Sequence, residues 1–207
     1  NTSNITDMSY MFSFCKSLTL VNTNNWDTSN VEIMESMFCW CESLTQLNVN
    51  SFNIDKVTDI NRVFAYCLKL TSLDLSNWNT SNVTDMNRTF TYCSQMTKLN
   101  LSGWNVDKVA DTNTNMTFAY CNSLDTIKIY NCKANMMSTL TWSSFFPTEI
   151  ISGKTRTIYC DEALVGKIEP PTNWVLSSEE DKKIAEYTFN SDTLPIFNSG
   201  YTYDYTD

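Results

Sequence analysis

Trp78-Asn79-Thr80-Ser81-Asn82-Val83-Thr84-Asp85-Met86, continuing through Phe90, Cys93, Leu99 and Leu101 to Trp104, is one cycle of a pattern that fills most of the chain. Its β-branched or aliphatic position recurs every 26 residues at Ile5, Val31, Val57, Val83 and Val109. Phenylalanine follows at Phe12, Phe38, Phe64, Phe90 and Phe118, and cysteine three residues later at Cys15, Cys41, Cys67, Cys93 and Cys121. The last interval is 28 because two residues enter between Thr112 and Met116. Leu18, Leu44, Leu70, Met96 and Leu124 form the next row, then Val21, Leu47, Leu73, Leu99 and Ile127. A large aromatic closes the early units at Trp26, Phe52, Trp78 and Trp104. A period of this length is the mark of a repeat architecture.

Two spacings inside each unit predict two kinds of element. Met8, Met11, Phe12, Cys15 and Leu18 are three and four residues apart, which puts them on one face of an α-helix. A short helix or helical turn is therefore expected there. The stretch Leu70 to Leu75 alternates inward and outward in its second half, as a strand does. Asn-Thr-Ser-Asn, or Asn53-Ile54-Asp55-Lys56 in the third unit, supplies the polar turn that brings the chain round. One such unit cannot bury its own apolar face, so neighbours must stack to complete the core.

The stretch from Trp78 to Trp104 resembles the BspA-like leucine-rich-repeat surface proteins, including the repeat domain common in mycoplasma lipoproteins, and the likeness covers residues 1–132. That resemblance implies a curved parallel sheet and a role in surface display, adhesion and binding of host components; related repeats also occur in phage proteins. The expected fold class is an α/β solenoid, leucine-rich-repeat-like, with a parallel sheet, short helices or helical turns, and about five repeats of 26 residues plus a C-terminal cap. Residues 1–132 form the solenoid, with its N-terminal cap missing. Residues 133–176 are a divergent capping region and 177–207 a C-terminal helix and tail. Within the cap, 155–160 and 174–176 read as strands and 162–168 as a short helix. Ser177 with Glu180 fits a capping box that opens a helix through about Tyr187. The tail, Tyr201-Thr202-Tyr203-Asp204-Tyr205, alternates like an edge strand and is a candidate oligomer contact.

Composition narrows the function classes. With 14 basic against 23 acidic side chains in 207 residues, the formal charge is −9, which opposes the phosphate neutralisation that drives nucleic-acid binding. No stretch approaches the roughly 20 apolar residues of a membrane span, so no direct membrane insertion is expected. The first residues carry no secretory signal pattern. There is no histidine, no CxxC pair of zinc-site spacing and no phosphate-binding loop, so neither an enzyme nor a cofactor is expected. Five of the eight cysteines follow the repeat, and stacked side chains that point the same way oppose disulfide geometry. Helical projection sets Cys39 away from the core face, as an exposed thiol. Cys132 and Cys160 are left open as a pair.

Three constellations remain. Asp7, Asp59, Asp85 and Asp111 make a carboxylate ladder, interrupted by Ile33; hydrogen bonding within a turn or helix capping accounts for it. A glycosidase pair or a calcium ladder is the rival reading, but a catalytic pair needs two unlike environments, whereas a ladder gives like ones. The seven Asn-X-Ser/Thr matches come with the turn consensus and are not independent evidence of glycosylation. Phe14, Trp40, Tyr66, Tyr92 and Tyr120 immediately precede the ladder cysteines, at the edge of the buried arc, and form the first candidate ligand-binding surface. The second is the outward side of the strands, with Ser72, Asp74, Lys98 and Asn100. The expected function is a surface-exposed recognition or adhesion module, at the cell surface or extracellular, for a host protein or glycan; the alternatives are a phage fibre or spike domain on a particle surface, and a carbohydrate-active enzyme.

Overall fold

The period becomes a register. The computed structural model describes residues 2–110, 113, 116–132, 156–162, 165 and 174–178. Over the first units, parallel bridges join Asp7 to Ile33, Ile33 to Asp59 and Asp59 to Asp85, so each repeat lies one coil beyond the last. Five short strands follow: β1 (Ser72–Asp74), β2 (Lys98–Asn100), β3 (Thr126–Lys128), β4 (Arg156–Tyr159) and β5 (Trp174–Ser177). They form one sheet in chain order, every pair parallel. Leu73, Leu99, Ile127, Ile158 and Leu176 align across it as an apolar row. Thus β4 and β5, in the region expected to cap the repeats, continue the same sheet.

Where the spacing predicts a helix, the described residues contain none. From Met8 to Leu18 the chain instead makes successive turns, with the N–H groups of Met11, Ser13, Cys15 and Leu18 donating three residues back at 3.4, 3.0, 3.0 and 3.1 Å. The intervening N–H groups of Met8, Tyr10, Phe12 and Phe14 donate outward to the next coil, to the carbonyls of Ile33, Glu35, Met37 and Cys39. An α-helix would spend nearly all of these donors on itself, leaving the coils unpaired. Tyr10 and Phe14 sit at φ 59° and 63°, the left-handed conformation that a type II turn needs at its third residue. The run of turns brings side chains inward at the same three- and four-residue spacing as a helix, and that is why the pattern reads as one.

The correction carries to Cys39. Placed outside by helical projection, it is buried at 5% exposure, because no helix exists to turn it outward. Of the expected helix over 177–187, only Ser177, the last residue of β5, and Ser178 are described; the tail and Asp111 lie outside the described residues, and of 162–168 only 162 and 165 are described.

The rows of the repeat become ladders in the core. Phe38, Phe64, Phe90 and Phe118 are fully buried, and Phe12, on the outermost described coil, is partly buried. Their rings stack with centroids 5.4, 6.1, 5.7 and 5.1 Å apart along the row. All eight cysteines are free thiols. Those of Cys41, Cys67, Cys93 and Cys121 donate to the carbonyls of Phe12, Phe38, Phe64 and Phe90. The indole N–H groups of Trp78 and Trp104 donate to Val49 and Leu75 carbonyls in the same way. Each of these thiol and indole donors thus finds a main-chain acceptor one coil back, as burial requires.

Candidate binding surface

Phe14, Trp40, Tyr66, Tyr92 and Tyr120 form a second aromatic ladder, outside the core. Each N–H donates to the residue before the next ring: Phe14 to Cys39, Trp40 to Ala65, Tyr66 to Thr91 and Tyr92 to Ala119, at 2.8, 2.9, 2.8 and 2.8 Å. All five lie at φ between 60° and 64°. The rings stack nearly parallel, with centroid separations of 5.8, 3.8, 4.6 and 4.2 Å and interplanar angles of 8°, 7°, 13° and 16°. Phe14 is 63% and Tyr120 38% exposed; Trp40, Tyr66 and Tyr92 are half-buried. Lys16 lies 5.1 Å from the centre of the Trp40 ring and pairs with Glu42 at 2.8 Å.

This geometry decides what the ladder offers. The inner rings cover one another's faces, so what they present outward is a row of ring edges with the phenol groups of the three tyrosines. A sugar ring that stacks on an aromatic needs an open face. Only the ends of the row have one.

A comparison inside the molecule separates backbone need from side-chain choice. A parallel row, Tyr10, Ser36, Arg62, Arg88 and Met116, has the same left-handed backbone, at φ between 54° and 59°, yet its side chains are mixed. The backbone therefore does not demand aromatics. Tyr10 of that row is 54% exposed and donates its hydroxyl to Glu35 at 2.6 Å, which raises the phenol's pKa; Arg62 reaches the same carboxylate at 3.8 Å. Sequence reasoning passed over this row, whose only signal is its 26-residue spacing from a ring.

The sheet candidates sit as a half-exposed patch: Ser72 beside Lys98, and Asp74 beside Asn100. Two of them have work within the fold. Asp74 accepts from the Ser76 N–H and hydroxyl at 3.0 and 2.7 Å, and Asn100 from those of Ser102 at 3.1 and 2.7 Å. Both close the turn after a strand. Burial lowers the Lys98 pKa, with Asp125 opposing the shift.

The carboxylate ladder serves turns as well. Asp7, Asp59 and Asp85 accept from the N–H two residues on, in Ser9, Asn61 and Asn87, at 2.8, 2.7 and 2.8 Å. The expectation of like environments does not hold. Hydrogen bonds from Ser9 lower the Asp7 pKa, while burial, with Asp85 and Glu35 nearby, raises that of Asp59. Among the described residues no group of three or more metal-ligating side chains comes together, and no helix is long and apolar enough to cross a membrane.

No curated protein and no solved structure matches the chain. A family model described as "Mycoplasma protein of unknown function, DUF285" matches residues 6–130, which takes in all five ring positions and all of β1 to β3 before it stops, ahead of β4. Spanning more than half of the sequence, that match makes the chain a member of this family of mycoplasma proteins.

Proposed function

We propose that the chain is a leucine-rich-repeat-like solenoid that acts as a recognition module, displayed at a cell surface, and that the ladder Phe14, Trp40, Tyr66, Tyr92 and Tyr120 is its contact surface for a protein partner. The observation that carries this reading is the ladder itself: rings repeated at one place, outside the core, on a backbone that does not require them. Aromatic edges and phenol groups supply large contact area with little side-chain entropy to lose, the composition of protein hot spots. The covered ring faces favour a protein over a glycan. The net charge of −9 favours a partner with a basic face.

The test is a binding screen of the chain against immobilised soluble proteins and glycans, repeated with the Tyr66→Asn, Tyr92→Asn double variant. Asparagine tolerates the left-handed backbone, so the fold survives while the ring edges go. A hot-spot tyrosine contributes about 2 kcal/mol or more, so protein binding should weaken by well over tenfold. Binding to glycans alone, or protein binding that the folded double variant retains in full, would remove the ladder as the contact surface. Labelling of intact cells with antibody against the chain tests its display.

A further inference from the structure

We infer that Arg88, at the rim of the ring ladder, is a binding site for a carboxylate of the protein partner, an aspartate or glutamate side chain or a terminal carboxylate. The inference rests on the ladder as the contact surface and adds the chemistry of what meets its edge.

Arg62 and Arg88 border the ladder. Each lies four residues before a ring, and the residues between, Val63, Phe64 and Ala65 or Thr89, Phe90 and Thr91, are all buried. The Ala65 N–H donates to the Arg62 carbonyl at 3.0 Å and the Thr91 N–H to that of Arg88 at 3.1 Å, closing turns whose ends lie within about 7 Å. Arginine and tyrosine are therefore surface neighbours on both coils. The Arg62 N–H donates to the Asn87 carbonyl at 2.9 Å, so the two arginines follow one another a coil apart.

The molecule itself shows what this row does with a carboxylate. Glu35 accepts from the Tyr10 hydroxyl at 2.6 Å and lies 3.8 Å from the Arg62 guanidinium, held between row members of the coils on either side. One coil on, the counterpart of Glu35 is Asn61, a neutral amide. Among the described residues the half-buried Arg88 side chain has neither an ion pair nor a hydrogen bond, while Asp85 is committed to its own turn, accepting from the Asn87 N–H at 2.8 Å. A charge partly withdrawn from water without a partner costs energy, and the left-handed backbone of Arg88, at φ 54°, suits asparagine or glycine better. A carboxylate from the partner supplies at Arg88 what Glu35 supplies at Arg62. Asp59 lies close enough to Arg62, Asp85 and Glu35 to feel all three, and these carboxylates favour a monoanion over a dianion such as a phosphate group. The net charge of −9 acts on the approach of the partner as a whole; in contact the nearest groups decide.

The test compares two peptides, acetyl-Tyr-Glu-Tyr-amide and acetyl-Tyr-Gln-Tyr-amide, titrated into the isotope-labelled chain with the amide shifts of residues 88–92 as readout. The native chain should bind the glutamate peptide at least about fivefold more tightly, because a charge-assisted pair with a carboxylate outweighs a bond to an amide. Arg88→Gln removes the guanidinium and Asn61→Glu gives it an internal carboxylate, so each should bring the two peptides to parity. Lys108→Gln, which alters a corner lysine bonded to Asn82, should leave the preference in place. Equal binding of both peptides by the native chain, no shift with either, or a preference that Arg88→Gln keeps would overturn the inference. So would inorganic phosphate displacing the glutamate peptide at a lower concentration than acetate does, since the site would then take a phosphate group. The ladder reading fails on a different result, full protein binding by the Tyr66→Asn, Tyr92→Asn variant.

Discussion

Phe64→Ala removes one ring from the middle of the core ladder. The ring is fully buried and has three aromatic neighbours: Phe38 at 6.1 Å, Phe90 at 5.7 Å and Trp78 at 5.8 Å. Truncating a buried phenylalanine costs about 3 to 5 kcal/mol through lost burial and the cavity left behind. The lost ring pairs push the expected cost to the upper part of that range. In a chain of this size each kcal/mol lowers the thermal midpoint by about 2 to 4 °C. A fall of roughly 8 to 20 °C follows, read by circular dichroism, with urea unfolding to give the free energy.

The ladder supplies its own control. Phe12 holds the same position in the repeat but is only partly buried, so Phe12→Ala should cost clearly less than Phe64→Ala. Equal costs, or a Phe64→Ala cost below about 1 kcal/mol, would refute the reasoning that burial between two coils, rather than the residue type, sets the energy. Because neighbouring coils couple in a repeat fold, the variant should also open the flanking coils first, seen as faster amide exchange there.

Native-state thiol titration should show Cys15 reacting first and Cys39, Cys41, Cys67, Cys93 and Cys121 protected; burial raises the Cys41 thiol to about 12, and full modification on unfolding would confirm free thiols. Trp104→Phe removes the indole donor to Leu75 and leaves a buried carbonyl short of one partner, so it should cost on the order of 1 kcal/mol by urea unfolding. Asp59 is a carboxylate whose folded pKa burial raises, so its charge costs stability above that pKa and nothing below the unfolded value. Asp59→Asn, which keeps an oxygen for the Asn61 N–H, should therefore stabilise the protein at pH 7 and lose that advantage by about pH 3; a variant no more stable at neutral pH would show that the carboxylate is not destabilised in the fold.

Much of the coil arrangement was legible because stacking turns a sequence period directly into spatial rows. The phenylalanine spine, the aspartate-closed turns and the strands at 156–159 and 174–177 all follow from row positions or local alternation. The run from Met8 to Leu18 was not, since inward spacing of three and four is shared by a helix and a chain of turns, and periodicity alone does not separate them. Composition held a clue. In the corresponding run of the second unit, Ser36, Phe38, Cys39, Trp40 and Cys41 are middling or poor helix formers, and that run carries no helix-ending glycine. Projecting it as a helix then misplaced Cys39. At the site, the position of the five rings was legible and their mutual stacking was not, because that depends on the left-handed backbone at each ring. The turn roles of Asp74 and Asn100 had a local signal, a serine two residues on.

The energetics of the ring ladder bear on why it exists. A bulky residue in the left-handed region costs on the order of 1 to 3 kcal/mol, and glycine or asparagine would occupy the place more cheaply. Stacked pairs return about 0.5 to 1.5 kcal/mol each, and the ladder has one pair fewer than it has rings. Folding therefore gains little from the row. The core ladder is the opposite case: its phenylalanines exclude water on all sides, and nothing cheaper fills their volume. Two aromatic rows run along the same coils, one indispensable to the core and one close to neutral for it, and in the proposed reading it is contact with a partner that separates the second from the mixed row of Tyr10, Ser36, Arg62, Arg88 and Met116 on the same kind of backbone.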